Sequence, residues 1–181
     1  MTAGELARRV AVPPARQRRL RSGEWALGLA VTGGTVLASA LVAAAFSPSP
    51  AHRRIRRDYD RLEKPPFNPP DWLFGIWGPL FSMLTVSGLR IWNAPRGRDR
   101  THALAHWFGI QVLNALWMVL GFGLRRRGAM AAEAAVTVLN AAAYADAARR
   151  VDRTASRLAV PYALWVGFAA LLSEELWRRN R

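Results

Sequence analysis

The spacing of the apolar runs constrains this chain more than any other feature. Five stretches, at about residues 25–46, 72–92, 103–124, 129–148 and 158–177, are poor in charge and flanked by arginine. A helix rises about 1.5 Å per residue, so roughly 20 apolar residues cross a hydrocarbon core about 30 Å thick. Five runs of that length predict an all-α integral membrane bundle of five transmembrane helices. The mean hydropathy of +0.02 hides this pattern, because it averages greasy segments with basic connectors.

A formal net charge of +14 would ordinarily point to a nucleic-acid partner. Here the arginines sit in connectors at helix ends, as at Arg125, Arg126 and Arg127, where headgroups and anionic lipids lie. A lipid bilayer, and no nucleic acid, is therefore the expected partner. The absence of cysteine excludes disulfides, thiolate metal sites and cysteine nucleophiles. Residues 1–23, polar, basic and broken by Pro13 and Pro14, read as a flexible tail, and residues 24–181 as one transmembrane domain. Ala43, Ala44 and Ala45 resemble a signal cleavage site, but the run before them exceeds the roughly 7–15 residues of an h-region, so a retained helix is expected. Basic residues divide almost evenly between the two sides and leave the orientation open. Abundant alanine and arginine beside a single lysine fit a GC-rich bacterial genome, hence a multi-pass protein of a bacterial cell membrane.

Local patterns add detail. Ala26, Ala30, Gly34 and Ala38 form a small-residue stripe that would let another helix approach closely. Between Leu62 and Phe81, LEKPPFNPPDWLFGIWGPLF, five prolines meet two tryptophans. Pro65, Pro66, Pro69 and Pro70 cannot continue a helix and hold the chain extended, either as a lid over the bundle or as a mere lead-in to the second span. Asp71 is expected to cap that span, Trp72 to sit at the interface, and Pro79 to kink the helix. Phe74, Trp77 and Phe81 share a face.

On the fourth run Glu133, Thr137, Asn140 and Tyr144 also share one face. They line a polar path or interface, or else Glu133 reaches the headgroups and only Asn140 is buried. His102 and His106 have the spacing of paired metal ligands, but no second acidic or histidine pair stands beside them, so no metal site is expected. No phosphate-binding loop, dinucleotide fingerprint or serine–histidine–acid pattern is present, and no catalytic residues are assigned.

Three blocks carry a family likeness: LEKPPFNPPDWLFGIW from Leu62 to Trp77, VLNALW from Val112 to Trp117 followed by FGLRRRG, and VPYALWVGFAALLSEELWRRN from Val160 to Asn180. In these blocks the chain resembles the TspO/MBR family, the tryptophan-rich sensory proteins or translocator (peripheral benzodiazepine receptor) proteins. The resemblance implies five membrane helices around a pocket for tetrapyrroles such as protoporphyrin IX or haem, bound as ligand and not as a required cofactor, and a homodimer. By family position Trp77, Asn114, Trp165 and Ala169 match pocket residues, with Trp117 close by. The chain departs from the pattern at Phe67, where tryptophan is usual, at Ser173, often asparagine, and in the spacing from Pro70 to Trp77, one residue short. Leu172 to Arg178 lacks the tyrosine of the animal sterol motif, so sterol recognition is not carried over.

The residues support such a pocket independently. Tyr162, Trp165, Ala169 and Ser173 form one stripe on the fifth run, and His106, Asn114, Trp117 and Gly121 share a face on the third. A flat apolar ligand needs aromatic walls and a few orienting polar groups. The expected ligand set is Phe67, Phe74, Trp77, Asn114, Trp117, Tyr162, Trp165 and Ala169, in a receptor engaged in tetrapyrrole handling or stress response. A light- and oxygen-dependent porphyrin-degrading enzyme and a small-molecule transporter are the alternatives; a non-enzymatic role is favoured over the first, and no internal repeat supports the second.

Overall fold

The computed structural model describes residues 22–181, so all but the last two residues of the expected basic tail lie outside the described part. Every regular element among the described residues is helical. Helix α1 spans Ser22–Ala45 and α2 spans Arg53–Asp60; a 3₁₀ segment, Asp71–Ile76, leads into α3, Trp77–Asn93. Helix α4, Arg98–Met118, runs on through a π turn, Val119–Gly123, and is followed by α5, Arg127–Val151, and α6, Arg153–Arg179.

Among the described residues four stretches are long and apolar enough to cross a membrane: Gly23–Ala45, Asp71–Asn93, Arg98–Gly123 and Arg153–Arg179. Helix α5, expected as the fourth of five spans, has the length at 25 residues but not the apolar content. It is built largely of alanine and carries Glu133, Thr137 and Asn140, where insertion is driven by leucine, isoleucine, phenylalanine and valine. The five long helices nevertheless close a ring: α1 packs on α3 and α4, α4 on α5, α5 on α6, and α6 back on α3.

Helix α1 enters that ring by Gly28, Thr32, Val36 and Ser39, all buried, and the expected stripe of Ala26, Ala30, Gly34 and Ala38 faces outward instead. Both sets recur at helical spacing, so periodicity alone could not choose between them. Contacts with α3 and α4 decide. A Cβ on Gly28 would come within 2.7 Å of the Trp92 ring, and the Ser39 hydroxyl donates to the Gln111 carbonyl at 2.7 Å.

The bundle is tied at its far end by polar contacts under the surface. The Trp107 indole is fully buried, lies directly over Gly88, and donates its N–H to the Leu84 carbonyl at 2.9 Å. Ser87 meets the Tyr144 hydroxyl at 2.5 Å and donates to the Ala155 carbonyl at 2.8 Å. His106 Nδ1 lies 2.8 Å from Asn140 Oδ1, and Asn140 Nδ2 donates to the His106 carbonyl at 3.0 Å. Among the described residues no cluster of three or more histidine and acidic side chains could hold a metal ion.

Asp152 forms the sharp turn between α5 and α6. Its Oδ1 accepts from the Thr154 and Ala155 N–H groups at 2.8 and 2.9 Å, capping α6, and Oδ2 meets Arg90 of α3 at 2.8 Å. Partial burial pushes this carboxyl up, but Arg90 and the two N–H groups outweigh it and hold Asp152 below the ordinary carboxylate range. A carboxylate lowered on folding stabilises above its unfolded pKa of about 4, and that contribution is lost as the pH falls through the lower folded value. Thermal unfolding in detergent should therefore show stability declining below about pH 4. The Asp152→Asn variant, which keeps a capping side chain, should show a flatter decline.

Candidate functional site

A cavity of about 560 Å³ opens inside the ring at the end where α2 and the proline-rich segment cross it. Each long helix contributes to its wall, and the sequence dictates what each brings. Ala40, Ala43 and Ala44 of α1 leave room; Trp77 and Phe81 of α3 and Trp165 and Phe168 of α6 supply aromatic faces; Asn114 and Trp117 of α4 and Thr137 of α5 add the polar atoms. The Trp77 and Trp165 rings meet edge to face, centroids 6.1 Å apart at 86°. Trp77 also stacks at a tilt on Phe81 at 5.4 Å, and Trp165 on Phe168 at 5.4 Å. Such rings fix one another and keep the space open, since no small rotation of one avoids its neighbour.

The polar groups fall into two kinds. Some are satisfied and act as braces: the Trp117 indole donates to Ser173 Oγ at 3.0 Å, and Ser173 in turn donates to the Ala169 carbonyl at 2.7 Å. The Tyr162 hydroxyl donates to Asn114 Oδ1 at 2.8 Å and fixes the direction of that amide. Others have no partner among the described residues: Asn114 Nδ2, Trp165 Nε1, Glu133 Oε2, and both amide atoms of Gln111. Asn114 and Trp165 are wall residues of the cavity, and their unpartnered N–H groups are buried in the packing of that wall.

Of the eight residues expected from the sequence, Trp77, Asn114, Trp117, Trp165 and Ala169 line the cavity together. Tyr162 is fully buried behind the wall, where it holds Asn114. Phe67 is 46% exposed and touches the outer side of the site through an edge contact with Phe168, centroids 6.3 Å apart. The Phe74 side chain lies outside the described residues. His106 and Gly121, expected on the same face as Asn114, are used elsewhere: His106 by Asn140, and Gly121 by Met130, whose sulfur occupies the place of a Cβ. The inward set on α5 splits likewise, with Thr137 at the cavity, Asn140 on His106 and Tyr144 on Ser87.

The mouth corrects one expectation. Asp71 does not cap α3, which begins after Ile76 without any side-chain cap; its carboxylate instead accepts from Arg56 Nη1 at 2.8 Å. The chain enters the span through a 3₁₀ turn, which places Asp71 six residues before α3 and within reach of α2. Pro79 falls in the first turn of α3, where no intrahelical donor is needed, so the expected kink gives way to the 3₁₀-to-α junction just before it.

Arg56, Tyr59, Pro69 and Asp71 all line the mouth, so the proline segment roofs the cavity. It is tied down on both flanks. Tyr59 donates to Asn68 Oδ1 at 3.3 Å, the Glu63 N–H donates to Asn180 Oδ1 at 3.0 Å, and Asn180 Nδ2 returns a bond to the Glu63 carbonyl at 3.0 Å. Asp58 of α2 pairs with Arg125, which leaves the π turn at φ 57°, a left-handed conformation that a side chain rarely adopts. Arg56 and Tyr59 carried no individual signal in the sequence, where they are two among many residues of a charged connector.

The model of the TspO/MBR family matches residues 35–178. The chain is 36% identical over 128 residues to the translocator protein of Ovis aries, covering 69% of this chain and 76% of that protein. It is 32% identical over 160 residues to the tryptophan-rich protein TspO of Chlorobaculum tepidum, covering 85% and 96%. With the tryptophan-rich sensory protein of Cereibacter sphaeroides it shares 31% identity over 142 residues, covering 77% and 88%.

Proposed function

Since the chain belongs to the TspO/MBR family of membrane proteins, we propose that it is a five-span receptor whose cavity takes a flat, largely apolar ligand of the tetrapyrrole class. One observation carries this reading: Trp77, Trp117 and Trp165 wall a single space of about 560 Å³. Small-molecule sites commonly measure about 300–1,000 Å³ and are lined by aromatic side chains with few polar atoms. Desolvation of a macrocycle against the indoles supplies the attraction, and Asn114, held in place by Tyr162, is the polar wall residue we assign to orient it. Arg56 at the mouth suits the carboxylates that such macrocycles carry.

Counting α5 as the fifth span is supported by how it sits. Glu133, Thr137 and Tyr144 are buried against neighbours, whereas Val136 and Leu139 are exposed on the outer face, as lipid contact requires. The outward stripe of Ala26, Ala30, Gly34 and Ala38 is the face we assign to a second copy in a homodimer. A bacterial cell membrane is the proposed location, and tetrapyrrole handling or stress response the proposed role.

Titration of the purified protein with protoporphyrin IX, followed by tryptophan fluorescence, tests the reading. Saturable quenching with one class of site is the expected result. Linear, non-saturating quenching equal to that of empty micelles would overturn it.

A further inference from the structure

A glutamate on a helix surface ordinarily pairs with an arginine four residues on. Glu174 of α6 has Arg178 in that place, yet Arg178 donates to Glu175 at 2.9 Å, and Arg179 donates to the same carboxylate at 3.0 Å. Glu174 is left without an ion-pair partner among the described residues, although Arg126 and Arg127 stand at the start of the neighbouring α5.

The unpaired carboxylate lines a groove of about 350 Å³ on the outer face of the bundle, between α5 and α6. Ala131, Ala132 and Ala135 of α5 and Ala170 of α6 form its floor, and Trp177 stands with Glu174 at one end. That end is at headgroup depth, because the Trp177 ring lies against Gly128 in the first turn of α5, just after the run Arg125 to Arg127. From Gly128 to Ala135 the helix rises about 10 Å, so the groove leads from the headgroups into the hydrocarbon. Its length suits a segment of acyl chain and not a second helix crossing the whole span.

The charges at the headgroup end decide which lipid fits. Glu174 answers an ammonium, and the Arg181 guanidinium, stacked 5.8 Å from the Trp177 centroid, answers a phosphate. Choline is a poor match: its methyl groups offer no N–H to a carboxylate, and the one aromatic face at hand already carries Arg181. An anionic head group with no ammonium would set like charge beside Glu174.

We propose that the α5–α6 groove is a phospholipid site selective for a primary ammonium head group, as in phosphatidylethanolamine. Glu174 holds the ammonium, Arg181 the phosphate, and one acyl chain lies on the alanine floor. This takes from the proposed function only the placing of α5 in the membrane, and not the ligand cavity.

Native mass spectrometry of the full chain in detergent tests it, with palmitoyl-oleoyl phosphatidylethanolamine, phosphatidylcholine and phosphatidylglycerol added in turn. One phosphatidylethanolamine should be retained about tenfold more tightly than phosphatidylcholine, the worth of one charge-assisted hydrogen bond. Glu174→Gln should reduce that preference to about twofold. Ala135→Leu, which fills the groove, should weaken retention of phosphatidylethanolamine about fivefold or more. Both side chains are exposed, so thermal unfolding of the two variants should match the native chain. Equal retention of phosphatidylethanolamine and phosphatidylcholine, or tighter retention of phosphatidylglycerol, would overturn the selectivity. An unaltered preference in Glu174→Gln would overturn the part assigned to that carboxylate, and undiminished retention in Ala135→Leu would place the lipid elsewhere. Retention of no lipid, with two copies cross-linking through this face, would give the groove to a second copy. None of these results depends on porphyrin binding, so the two readings fail separately.

Discussion

Replacing Trp107 with alanine is expected to destabilise the bundle near the low end of the about 3–5 kcal/mol typical of buried aromatics. The low end applies because removal of a side chain in hydrocarbon forfeits packing and a hydrogen bond, without the transfer from water that adds to such losses in soluble proteins. Trp107 is fully buried, its ring fills the space left by Gly88, and its N–H satisfies the Leu84 carbonyl, so truncation empties the α3–α4 contact and orphans an acceptor at once. Trp72, which is 76% exposed, provides the control, and its replacement should change stability by no more than about 0.5 kcal/mol. Unfolding of both variants in the same detergent checks this. Equal midpoints for the two would mean that the α3–α4 contact made by Trp107 contributes little to the stability of the bundle.

The second large effect concerns the ligand. Ala169 lines the cavity beside Trp165 and Phe168, and phenylalanine at that position would project a ring into the open space. Displacing a macrocycle, or forcing it to share the site, should weaken porphyrin binding about tenfold to a hundredfold, the range corresponding to roughly 1–3 kcal/mol of overpacking. The unliganded protein should hardly be affected, since the added ring occupies a void. Quenching titrations beside thermal unfolding separate the two outcomes. Unaltered affinity in Ala169→Phe would place the bound porphyrin elsewhere.

The helical class and the approximate limits of the long helices were legible because span length is set by bilayer thickness, and the chain meets it repeatedly. Helix α5 shows where that logic thins. Its length and its polar face were visible in the sequence, but alanine-rich composition leaves it short of the apolar content of the other four. Aromatic lining residues were legible chiefly through the family likeness and because Trp77, Trp117 and Trp165 lie deeper in their spans than Trp25, Trp72, Trp92 and Trp177, of which Trp92 is half-buried against Gly28 and the other three are exposed. What escaped the sequence depends on contacts between distant segments. Asp71 has the residue type and position of a helix cap, yet Arg56, fifteen residues earlier, claims its carboxylate. Trp107 resembles the other tryptophans until the packing of Gly88 sets it in the core. The two small-residue faces of α1 are equivalent by spacing, and only the partners on α3 and α4 distinguish them. Similarly, His106 and Asn114 share a helical face, but one is taken up by Asn140 and the other by the cavity wall.

The central claim is that the ligand lies among the three deep indoles, and locating zinc protoporphyrin IX by its anomalous scattering in crystals of the complex tests it most directly. The account predicts a zinc peak inside the ring, bounded by Trp77, Trp117 and Trp165 and roofed by Pro69. A peak on the lipid-facing surface, beside Trp72 or Trp177 with the interior space still empty, would contradict it.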